Sequence, residues 1–350
     1  MPTLLDPVQI GAFSLPNRIV MAPLTRTRAS VRRVPNAMMA EYYAQRAEAG
    51  LILSEATAVT PMGVGYPDTP GIWSSEQVEG WKLVTKAVHD AGGRILLQLW
   101  HVGRISDPAY LKGELPVAPS AIAAEGHVSL IRPMKPFVTP RALRLEEIPG
   151  IIEAYRKGAE NALAAGFDGV EIHGANGYLL DQFMQNGTNQ RTDEYGGSVE
   201  NRGRLILEVA DACTSVWGAD RVGVHLNSMG GTHGIHDSNP HAIFTHVARE
   251  FGRRGLAFLC VREKLGPHRL VPAIGEAFGG PIIANDGFTS ATGNEILASG
   301  EAAAVAYGVP YIANPDLVRR FAENAPLNEP NPSTFYALGP KGYVDYPVLA

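Results

Sequence analysis

Eight short apolar runs recur along the chain, at 18–22, 51–56, 94–99, 168–172, 221–226, 256–261, 281–284 and 303–307. Longer segments separate them. Runs this short and this continuously apolar suit parallel strands buried on both faces, since a strand with one wet face would alternate. The segments between them carry helix signals. Ser74 and Gln77 form a capping box ahead of Trp81, Leu83, Val84, Ala87 and Val88. Ile152, Tyr155, Ala159, Ala162 and Leu163 recur at helical spacing until Gly166, and Ser198 caps a further helix with Glu200 in its first turn. Eight strand–helix alternations predict a closed (β/α)8 TIM barrel, one α/β domain over residues 1–350. An open doubly wound sheet would want a G-x-G-x-x-G turn after its first strand, and none is there.

Two segments fall outside the repeat. Val8–Ile10 and Phe13–Leu15, flanking Gly11 and Ala12, read as an N-terminal β-hairpin plugging the barrel bottom. Residues 102–141 carry prolines and glycines, lack a helical period, and are far more than a strand–helix loop needs. Excursions of that length usually serve binding, so this one is expected to cap the active-site mouth. A net charge of −5 and a pI near 6.1, with no basic run interleaved with aromatics, argue against a nucleic-acid partner. The N-terminus has no leader pattern, and no apolar stretch is long enough to span a bilayer. Cys213 and Cys260 make no metal or redox spacing and suit a reducing compartment. The expectation is a cytoplasmic enzyme, monomer or homodimer, acting on small molecules.

Residues just past each barrel strand share one mouth. Here they include Pro23, Leu24 and Thr25 after strand one, Ala56 after strand two, and Gln98 with Trp100 at the end of strand three. Strand four runs into His173-Gly-Ala-Asn176-Gly-Tyr178. His225 ends strand five, Asn285-Asp286-Gly287-Phe288 follow strand seven, and Gly308 and Val309 follow strand eight. An imidazole, a carboxamide and a phenol within six residues suit a reaction that pushes charge onto an oxygen and then protonates a carbon. So short a pattern also fits a turn in which His173 and Asn176 satisfy backbone groups while Tyr178 packs. Hydroxyl and carboxamide groups at the mouth suit a planar heteroaromatic ring, and the late glycines suit a phosphate. These residues alone support a barrel enzyme with a phosphorylated cofactor or substrate, and do not name it.

Longer motifs do. Residues 17–26 (NRIVMAPLTR), 98–104 (QLWHVGR), the run from His173 to Ser198, residues 312–317 (IANPDL) and 342–347 (GYVDYP) together resemble the Old Yellow Enzyme family of FMN-dependent ene-reductases, along nearly the whole chain. The resemblance implies a non-covalent FMN, reduced by NADPH or NADH, that passes hydride from its N5 to an alkene activated by a carbonyl or nitro group. Nitroaromatics and nitrate esters are further substrates it implies. Thr25 would hydrogen-bond the flavin C4 oxygen, Gln98 would bind the pyrimidine edge, and Pro23, Leu24 and Ala56 would line the ring. His173 and Asn176 would hold the activating oxygen, and Tyr178 would protonate the adjacent carbon. Tyr66, Trp100 and Tyr343 would shape the pocket above the ring. Asp286, Gly287, Phe288, Gly308 and Val309 would hold the phosphate, and Asn285 would also belong to the cofactor site.

Two positions depart from the family pattern. A strand-five arginine, which would sit by flavin N1 and the C2 oxygen, is replaced by His225, and an arginine that would clasp the phosphate is replaced by Val309. Reduced flavin carries negative charge near N1, so both changes bear on cofactor affinity and on reduction. The alternatives are a redox-neutral flavin-dependent alkene isomerase, a flavin-free lyase or aldolase using His173 and Tyr178, and a binding protein that has lost FMN. His225, His233, His236 and His241 match no zinc spacing, so no metal is expected. Cys260 reads as a small core hydrophobe.

Overall fold

The computed structural model describes all 350 residues, and the eight apolar runs close on themselves. The barrel strands are β1 (Ile19–Met21), β2 (Leu51–Leu53), β3 (Ile95–Trp100), β4 (Gly169–Gly174), β5 (Val222–Leu226), β6 (Phe258–Arg262), β7 (Ile282–Asn285) and β8 (Ala304–Tyr307). Each pairs in parallel with its sequence neighbours, and β8 returns to β1 with Val305 opposite Ile19 and Tyr307 opposite Met21. The strands are buried on both faces because side chains alternate between two cores. Val20, Leu51, Leu53, Leu96, Phe258, Cys260, Ile283 and Ala304 fill the interior, while Ile52, Leu97, Val170 and Ile172 pack outward with Trp81, Tyr155 and Phe244. Leu83 and Leu163, expected on core faces, instead lie on the solvent side of their helices.

The N-terminal hairpin contributes Ile10, Phe13 and Leu15 to the interior core and so closes the bottom. Its turn requires Gly11, since a β-carbon there would lie 2.3 Å from the Asp220 carbonyl and 2.6 Å from Ala257 Cβ. Ser74 caps its helix through the expected box with Gln77, and the Ser198 hydroxyl accepts the Asn201 N–H.

The excursion after β3 is less irregular than its composition suggests. Val117–Ala118 pairs in parallel with Arg141–Ala142, in strands too short to produce a periodic signal. Val102, Ile105, Ala124, Val128 and Phe137 from this segment share a cluster with Ala56 and Trp100, and Tyr66 and Tyr178 pack against it. Arg104 donates to the carbonyls of Ile122, Ala123 and His233, tying the excursion to the loop after β5.

The C-terminal tail is held by two buried arginines that follow β1. Arg26 donates to the Phe335 and Gly342 carbonyls and to the Tyr42 hydroxyl, and Arg28 donates to the carbonyls of Thr334, Phe335, Gly339 and Lys341. Tyr343 stacks on Tyr42 with ring centroids 4.0 Å apart, under both guanidinium groups. Two buried guanidinium groups whose nitrogens all find acceptors, together with a desolvated cation–π contact, fix the tail firmly against the barrel.

Candidate active site

β4 ends in a turn that needs left-handed backbone at Asn176 (φ +58) and Gly177 (φ +78), a region that asparagine tolerates better than most side chains. The turn brings His173 and Tyr178 edge to face, with centroids 5.0 Å apart. The Ala175 N–H donates to His173 Nδ1 at 3.3 Å, so the ring proton of the neutral imidazole lies on Nε2. Burial, then the charges of His225 and Arg262, holds the His173 pKa well below its usual 6.5. The residue is therefore a neutral donor. The Tyr178 hydroxyl lies 2.8 Å from that of Tyr66. Burial, and then Tyr66, pushes the Tyr178 phenol well above 10, so it stays protonated and able to give its proton away.

His173, Asn176 and Tyr178 line a cavity of about 90 Å³ together with Pro23, Thr25, Ala56, Gln98 and His225. Pro23, Thr25, Asn176 and His225 also line a neighbouring cleft of about 630 Å³, on the scale of ligand pockets. Its far end is formed by Leu24, Asn285, Asp286, Gly287, Phe288, Gly308 and Val309. Asp286 (φ +93) and Gly287 (φ +81) make a tight turn there, and a β-carbon on Gly287 would meet only Lys264 Cγ, at 3.9 Å. The backbone on that side is bare enough for close approach by a ligand.

Glu171, which was not anticipated, joins Gln98 and His225 of the small cavity in a buried polar trio. Glu171 Oε2 accepts from Gln98 Nε2 at 2.8 Å, while Oε1 lies 3.7 Å from His225 Nδ1, with Cys260 beside them. Glu171 Oε1 and both His225 ring nitrogens have no hydrogen-bond partner within the protein. Buried groups left unpaired in this way mark a place where a polar ligand edge belongs.

Most of the anticipated residues therefore converge. Trp100 stands behind the pair, 5.0 Å from the Tyr178 ring and 5.4 Å from that of Tyr66. Tyr343 does not join them. It is fully buried in the tail anchor, and the tail residues that reach the cleft are Phe335 and Tyr336. The tail has neither helical nor strand periodicity, so nothing in its pattern distinguishes the anchoring tyrosine from the lining one. Arg262, the residue that ends β6, also lines the cleft. Its position at the end of strand six is the same signal that marks the other mouth residues.

Residues 3–328 match the model of the NADH:flavin oxidoreductase / NADH oxidase family. The chain is 45% identical to a putative 12-oxophytodienoate reductase 4 of Oryza sativa subsp. japonica, over 99% of this chain and 93% of that protein. It is 44% identical to 12-oxophytodienoate reductase 2 of Arabidopsis thaliana, over 99% and 96%. Among solved structures it matches an old yellow enzyme homologue from Zymomonas mobilis with a TM-score of 0.97 and 48% identity, covering 99% of this chain and 100% of that one. Morphinone reductase in complex with tetrahydroNAD matches equally well, with a TM-score of 0.97 and 48% identity over 100% and 98%. A barrel mouth with this donor set, and relatives matched along almost their entire length, leave one conclusion: the chain belongs to the Old Yellow Enzyme family and is an FMN-dependent, NAD(P)H-using oxidoreductase.

Proposed function

We propose that the chain reduces alkenes conjugated to a carbonyl or nitro group, with His173, Asn176 and Tyr178 as its substrate-handling residues. The observation that carries this reading is their convergence on one cavity with Thr25, Gln98 and His225. The unpaired polar atoms of Glu171 and His225 at that cavity suit the polar edge of an isoalloxazine, and the bare backbone at Gly287 suits a phosphate. Thr25, Gln98 and His225 at the ring end and Asp286, Gly287 and Gly308 at the phosphate end would hold FMN, which would supply the hydride chemistry between NAD(P)H and the substrate carbon. His173 Nε2–H and the Asn176 amide donate to the activating oxygen, where negative charge develops. Tyr178 gives its proton to the carbon beside the activating group, and the Tyr66 hydroxyl donates to the phenolate left behind. Tyr336 lines the larger cleft, and Trp100 and Tyr66 pack around Tyr178. The relatives named as 12-oxophytodienoate and morphinone reductases carry ketones in their substrate names, which supports this class. A cytoplasmic setting suits the two free, buried thiols, and no helix is long and apolar enough to cross a membrane.

The purified protein is expected to be yellow and to release FMN on heating or acidification. Under anaerobic conditions NADPH or NADH should bleach it and 2-cyclohexenone should restore the colour. Bleaching separates this reading from the isomerase, and colour separates it from a flavin-free lyase or binding protein. A preparation that stays colourless with excess FMN sinks it.

His225 stands where the family pattern places an arginine, 3.7 Å from a carboxylate rather than pairing with it closely. A fixed cation there would favour the negatively charged reduced cofactor. His225→Arg is therefore expected to raise the flavin midpoint potential by about 30 mV, equivalent to about 1.4 kcal/mol for a two-electron couple, and to slow loss of FMN on dilution. An unchanged potential, with the guanidinium seen at the flavin edge, contradicts this.

A further inference from the structure

Arginines are absent from both positions where the family pattern places them, and among the residues lining the larger cleft Arg262 is the one Lys or Arg. Its side chain leaves the end of β6 and is 41% exposed. An arginine so exposed, paired to a single carboxylate, would ordinarily be a solvated surface charge worth little. Two contacts distinguish this one. Its Nε donates to Asp286 Oδ2 at 3.2 Å, which aims the guanidinium along the cleft, and its Nη1 donates to Asn176 Oδ1 at 2.9 Å.

Asn176 Oδ1 receives a second hydrogen bond, from Asn227 Nδ2 at 3.2 Å. With two donors on Oδ1, the carboxamide cannot flip without setting its own N–H groups against them. Nδ2 is thus the atom free to donate into the small cavity that Asn176 lines with His173 and Tyr178. A cation on the amide oxygen also draws electron density from the nitrogen, which makes Nδ2–H the stronger donor, as hydrogen bonds in series polarise one another. The same charge helps to keep His173 neutral.

We propose that Arg262 is a positioning residue for substrate: held by Asp286, it orients and polarises the Asn176 carboxamide so that Nδ2 meets the oxygen of the activating group. This rests on the activated-alkene reading above. It places the cleft's permanent positive charge on strand six, against an oxygen-binding residue.

The test is a double-mutant cycle on the FMN-loaded protein. Wild type, Arg262→Met, Asn176→Ala and the double variant are titrated with 4-chlorophenol, whose oxygen stands in for an enolate oxygen, following the flavin absorbance. Arg262→Met is expected to weaken binding by about tenfold in the wild-type background, the scale of one charge-assisted hydrogen bond, and by less than about twofold in the Asn176→Ala background. Titrations are made at saturating FMN, and any change in FMN affinity caused by Arg262→Met should be the same in both Asn176 backgrounds. Additive losses overturn the proposal, as does a change in FMN affinity or potential with phenol binding intact, which would put the cation on the cofactor. If Arg262→Met does not fold, Arg262→Lys keeps the ion pair with Asp286 and should show the same non-additivity. A wild-type protein that binds no phenol and is not reoxidised by 2-cyclohexenone defeats the underlying reading instead.

Discussion

Tyr178→Phe is expected to slow reoxidation of the reduced enzyme by 2-cyclohexenone by about 10²–10⁴-fold, the range for a positioned general acid. Flavin reduction by NAD(P)H should change by no more than a few-fold, since no proton on carbon is needed in that half. The selectivity follows from the state of the phenol. Burial keeps it protonated, and its nearest polar partner is the Tyr66 hydroxyl at 2.8 Å. Tyr66→Phe removes that partner while leaving the acid in place. It should cost the same half-reaction roughly two- to tenfold, as expected for one neutral hydrogen bond. Stopped-flow traces in which Tyr178→Phe slows both halves equally would contradict the assignment.

The second large effect concerns the oxygen-binding pair. His173→Ala and Asn176→Ala should each reduce the oxidative half-reaction by about 10²–10³-fold, the usual result of deleting one donor to a developing oxyanion. The contribution of His173 should not vary with pH across the neutral range. Its pKa lies well below 6.5, so the folded residue stays neutral there, and the Ala175 N–H on Nδ1 keeps its proton on Nε2. Dividing the wild-type rate by the His173→Ala rate at each pH should give a flat line. An inflection near neutrality would show instead that the imidazolium is the working form.

The barrel was legible because burial on both faces leaves a strand with nothing but apolar residues, a pattern that survives without any alignment. The site was legible because a barrel gathers its strand ends at one mouth, so position along the chain translates into position in space. Three things were not. The strands at Val117–Ala118 and Arg141–Ala142 are two residues each, too short to express a period. Tyr343 and Tyr336 belong to a tail held by arginine–carbonyl contacts, which carry no sequence pattern of their own. The Glu171–His225 pairing depends on register between adjacent strands, with Gly223 opposite Glu171 and His225 opposite His173. Pattern reading orders the strands, but it does not set that register.

The tail anchor separates closing the barrel from completing the pocket. Phe335 and Tyr336 line the cleft only because Arg26 and Arg28, near the beginning of the chain, hold residues 334–342 in place. All eight strands are complete by Tyr307, before the residues that supply this wall of the pocket. The pocket is thus separable from the barrel: removing residues 334–342 is expected to weaken cofactor retention while leaving the eight strands closed.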